Sequence, residues 1–103
     1  MNLEIKTDLS VANEINRQLG GAMVMLGAHS ILGYSRSLLF AIRGCQIINK
    51  IRVTLESSDT YTVTFYKVAR RGLDFATVAV REMVYADNLK SVISSETGLA
   101  TSL

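Results

Sequence analysis

The residues of this chain that could do chemistry are few and scattered. It holds one histidine, His29 in "LGAHSILG", and one cysteine, Cys45 in "RGCQ". A histidine beside a serine, as His29 is beside Ser30, is the start of a general-base pair. A working pair also needs an orienting acid and donors for the developing charge. The simpler expectation is a histidine at a turn or core edge with a satisfied hydrogen bond. A reactive thiol needs a lowered pKa, and Arg43, two residues from Cys45, gives little sign of one. A structural thiol is expected. The acidic pairs Glu4 with Asp8, Glu56 with Asp59 and Asp74 with Glu82 do not follow the spacing of a metal loop. The glycines of "QLGGAMVMLGA" follow a helix and precede a strand, the reverse of a phosphate-binding loop. No set of residues adds up to an active site, so the chain reads as a non-enzyme without a cofactor or bound metal.

The basic residues offer more. Lys67, Arg70 and Arg71 close one strand in "DTYTVTFYKVARRG", and Arg81 lies on the next. If the two strands form a hairpin around "RRGLD", these four side chains gather at or beside its turn and could hold phosphates or an acidic partner. Asp74 and Glu82 fall in the same neighbourhood and would offset them. Arginines at a hairpin end also keep a sheet edge from aggregating. An RNA-binding sheet needs exposed aromatics interleaved with basic residues. Here Tyr61 and Phe65 alternate with Val63, which marks a buried face, and Tyr66 stands alone on the threonine face. A core cluster of Tyr61, Phe65, Phe40 and Phe75 is expected.

The elements that position these residues follow from periodicity. "TDLSVANEINRQLGG" predicts a helix. Asp8 or Ser10 would cap it, Leu9, Ala12, Ile15 and Leu19 would be its buried stripe, and Gly20 its left-handed stop. "AMVMLGAH" predicts a first strand, "SILGYSRS" a turn, and Leu38–Arg43 a second strand with Leu38, Phe40 and Ile42 on one face. "INKIRVTLE" alternates Ile51, Val53 and Leu55 against Lys50, Arg52, Thr54 and Glu56, the pattern of a sheet with one wet face. "SSD" is a tight turn before the strand that holds Tyr61, Val63 and Phe65. "FATVAVREMVY" predicts another strand. "DNLKSVISSETG" predicts a closing helix with Asp87 as N-cap, Leu89, Val92 and Ile93 buried, and Gly98 as C-cap. Consecutive strands between two helices imply an α+β fold. It would be an antiparallel sheet of four to five strands with an N-terminal and a C-terminal helix packed on one face.

Length and composition agree. The 103 residues favour one domain, 1–103, with 1–7 as an arm or short strand and 99–103 as a C-terminal tail. At 49% apolar and 19% charged the chain is globular in type. Its net charge of +2 is too small to announce a nucleic-acid binder. One cysteine rules out an internal disulfide and suits a reducing cytosol. "MNLEIKTD" lacks the pattern of a signal peptide, and "GGAMVMLGA" is far short of the roughly 20 apolar residues of a membrane helix. A soluble cytoplasmic protein without a membrane partner is expected.

"ANEINRQLGG" followed by "MVMLGA", then "DTYTVTFYK", "VYADNL" and the closing "TGLATSL", form an ordered series over nearly the whole chain. In this series the chain resembles a family of small uncharacterised proteins encoded in tailed-bacteriophage and prophage genomes. The resemblance implies a mobile-element origin and expression in a bacterial cytoplasm, and it brings no catalytic residues. Together the readings favour a non-catalytic accessory protein that binds another protein, of the host or the phage. Pairing through a sheet edge is its simplest mode, and a symmetric homodimer is the simplest assembly. The alternative is a small nucleic-acid-binding module using Lys67, Arg70, Arg71 and Arg81.

Overall fold

The computed structural model describes residues 8–69 and 75–101. Two helices come first, α1 (Ser10–Leu19) and α2 (Gly21–Met25). Five strands follow, β1 (His29–Gly33), β2 (Ser37–Ala41), β3 (Lys50–Leu55), β4 (Tyr61–Val68) and β5 (Phe75–Val84). A 3-10 turn, Ala86–Asn88, leads into α3 (Leu89–Thr97). The sheet is antiparallel in the order β1-β2-β3-β4-β5, so each strand pairs with its chain neighbour. This is the α+β meander expected from the alternation.

One face of the sheet carries the core. Leu38 and Phe40 of β2, Ile51 and Val53 of β3, and Tyr61, Val63 and Phe65 of β4 are buried there with Ile42. Ala12, Ile15 and Leu19 of α1 and Leu89, Val92 and Ile93 of α3 close over the same cluster. Both helices therefore pack on one face. Tyr61 keeps its ring in the core and donates its hydroxyl to Gln18 Oε1 on α1 at 2.9 Å, which satisfies its polar tip. Ile48, in the loop before β3, fills the same core.

The helix ends show how the chain enters and leaves these elements. Asp8 Oδ1 accepts the Ser10 N–H at 2.9 Å, so Asp8 satisfies one of the free donors of α1. That bond holds its carboxyl below the usual carboxylate range. Gly20 ends α1 with φ +48 and ψ −123, outside the left-handed helical region. The N-cap position of α3 is Asn88, not Asp87, and its side chain caps the 3-10 turn instead: Asn88 Oδ1 accepts the Tyr85 N–H at 2.7 Å. Asp87 sits inside the 3-10 turn. Gly98 does take the left-handed C-cap, φ +72, and donates its N–H to Ser94 O at 2.8 Å.

Three further expectations fail. The segment "AMVMLGAH" is not a strand. It opens with helix α2, and the first strand starts only at its last residue, His29, and runs on through the stretch expected to be a turn. Leu19, Ala22, Met23 and Leu26 are buried while Val24 is 83% exposed. Those positions follow a helical period, and Ala and Met favour helix over strand. The turn that follows β1 is shorter than expected and is closed by Tyr34 N–H to Ser37 O at 2.8 Å. Phe75 is not in the core but 61% exposed. The pairing runs Phe65 with Ala79, then Tyr66 with Thr77. One extra residue in β5 therefore reverses its alternation, and Phe75 points away from the helices.

Candidate functional site

The expected basic cluster divides in the structure. Lys67 pairs with Ala76 and Arg81 with Val63. Their rungs stand four positions apart along β4, roughly 13 Å at strand rise. Lys67 donates to Gln46 O at 2.7 Å. Arg81 is held by Glu96 of α3 at 2.8 Å. Its carboxylate partner thus comes from the closing helix and not from Glu82. Arg70 and Arg71, with the rest of "RRGLD", lie outside the described residues.

His29 and Ser30 do touch, with Nδ1 and Oγ 3.2 Å apart. The pair lies in a cleft of about 370 Å³ beside Asn49 and Lys50. Among the described residues, no carboxylate bonds the ring. Asn49 is already spent on Val68, accepting its N–H at 2.7 Å and donating to its carbonyl at 2.9 Å. Cys45 is a free, half-buried thiol packed against the core. Among the described residues, no group of three or more His, Cys, Asp or Glu side chains comes together. The tail packs inward: Leu99 lies against the core, and Thr101 donates to Lys90 O at 3.2 Å. Leu103 lies outside the described residues.

The unusual surface is β5 with the sheet face behind it. β5 is the last strand of the sheet, and nine of its ten residues are exposed or half-buried. Phe75, Val78, Val80 and Met83, with Tyr85 just beyond, each expose 43–61% of their surface. Scattered apolar side chains are normal on a protein surface, but a run of them on an edge strand is not. The strand carries only two charges, Arg81 and Glu82, adjacent and opposite. Met83 takes φ +57 where the register shifts a second time.

On the sheet face turned from the helices, Tyr66 is not alone. Phe75 meets it edge-on, ring centroids 5.3 Å apart, and Lys50 is its cross-strand neighbour on β3. Further along, the Arg52 guanidinium lies 5.1 Å from the Tyr34 ring, an attractive cation–π geometry. Arg52 Nε is buried without a hydrogen-bond partner. Sequence reasoning missed this surface because it placed Phe75 in the core. The density of β-branched and aromatic residues in "FATVAVREMVY", with two charges only, was the available signal.

Among the described residues, no helix is long and apolar enough to cross a membrane. No family model, curated protein or solved structure matches the chain.

Proposed function

We propose that this chain is a non-catalytic accessory protein of a phage or mobile element that acts by binding another protein through its β5 edge. The observation that carries the binding mode is the row of exposed apolar side chains on β5, which ends the sheet among the described residues. Such an edge offers backbone donors and acceptors to a partner strand, while alternate side chains supply the specificity. The phage or mobile-element origin rests on the sequence resemblance. The test is a pulldown from a bacterial host lysate with the wild-type chain and with Val80→Lys, each with and without nuclease. A protein retained after nuclease and lost with Val80→Lys supports the reading. Identical captures by the two chains overturn it.

A second reading is favoured by a different observation. Tyr66, Phe75 and Lys50 stand together on the open sheet face, the combination a sheet uses to stack bases and hold phosphate. Arg81, paired with Glu96 away from the β4–β5 turn, does not contribute to this face. Binding of this kind weakens steeply with salt. A mobility-shift assay with single-stranded DNA and RNA at low salt, comparing wild type with Lys50→Ala, decides it. The absence of any shift at low salt overturns it.

A further inference from the structure

Resting on the reading of β5 as a protein-binding edge, we infer that in the isolated protein this edge is taken by β5 of a second copy, paired antiparallel about a two-fold axis near the middle of the strand. Three observations single out this occupant.

The first is the pattern of the strand itself. An axis at Ala79 or Val80 sets Phe75 of one copy against Met83 or Tyr85 of the other. It also sets Val78 or Val80 against Val80. Apolar side chains thus meet apolar side chains at the centre and at both ends. The same placement sets Arg81 and Glu82 against uncharged residues. Moving the axis to Arg81 or Glu82 would bring like charges face to face, which is unfavourable in a cross-strand pair. The register that joins the apolar residues is therefore also the one that keeps like charges apart.

The second is length. β5 has ten residues, so it offers roughly 33 Å of edge. A central contact can then be flanked on both sides even though the two irregularities interrupt the ladder. The third is the other edge. β1 has five residues, an irregular register between His29 and Leu32, and Ser30 at φ +52. Pairing β1 of one copy with β5 of the next would be head to tail and would extend into filaments. The mismatch in length and regularity disfavours it, whereas β5 with β5 closes on itself and joins two five-stranded sheets.

The test is sedimentation equilibrium of the full chain over a wide concentration range, with circular dichroism to confirm the fold of each variant. Wild type is expected at twice the 11.3 kDa protomer mass. Val80→Lys puts a charge at the two-fold and is expected to weaken association on the order of 30-fold or more. Phe75→Lys, at the end of the strand, is a second variant should the first fold poorly. Val24→Lys, on the exposed side of α2, should leave the mass unchanged. A monomeric wild type overturns the inference, as does a dimer that survives both β5 substitutions. Neither result touches the protein-binding reading, which the lysate comparison tests separately. Identical lysate captures would overturn that reading without changing the measured mass.

Discussion

Phe65 has no exposed surface and lies under both helices, whereas Phe75 faces solvent beside Tyr66. Removing each ring should therefore give different results. Phe65→Ala is expected to lose about 3–5 kcal/mol of stability, and Phe75→Ala less than about 1 kcal/mol in the protomer; urea unfolding followed by circular dichroism compares them. Gly33 gives a second residue-level test. A Cβ there would lie 3.1 Å from Ala12 Cβ and 3.2 Å from Leu9 Cδ2, so Gly33→Ala should push α1 away from β1 and lose about 1–3 kcal/mol. A third concerns pH. Hydrogen bonds from Arg17 and then Gln18 hold the Glu14 carboxyl below its ordinary value of 4.5. A carboxylate with a lowered folded pKa contributes stability above its unfolded pKa, and loses it as pH falls towards the folded one. The urea midpoint of Glu14→Gln should accordingly fall less than that of wild type between pH 6 and pH 3. The core members Tyr61, Val63 and Phe65 were legible because their alternation is unbroken. Phe75 was not, because the extra residue that reverses β5 leaves no mark on its composition.

Among the elements, β2, β3, β4 and α3 could be read from the chain because each keeps one period throughout. Helix α2 is harder to read, because it is short and follows Gly20, a residue type that commonly stops a helix. Gly20 turns the chain without ending helical structure, and Leu19, Ala22, Met23 and Leu26 carry one buried stripe across the break. Helix and strand predict opposite signs for a change at Val24. Alanine is the better helix former, so Val24→Ala should leave the thermal midpoint unchanged or raise it, by up to about 0.6 kcal/mol in stability. In a strand the same change would lower it. The candidate site was missed for a related reason. β5 was expected as a strand, but its place at the edge and the direction of its apolar residues depend on pairing and register, which are properties of the assembled sheet.

In the whole molecule these features give two unlike faces. The helices cover one side of the sheet and consume its apolar alternation. The other side and the β5 edge keep aromatic and β-branched residues in solvent. The chain has no proline to block that edge, and of the two charges on it Arg81 is turned to Glu96. An edge left open in this way is a surface for pairing. Amide hydrogen exchange of the wild-type chain at high and low protein concentration tests this account most directly. If β5 pairs with a second copy, the outward amides between Phe75 and Val84 should exchange slowly at high concentration and faster on dilution, while those of β1 stay fast at both. If the β5 amides exchange at the same rate at both concentrations, β5 is not a self-pairing edge and the account is contradicted.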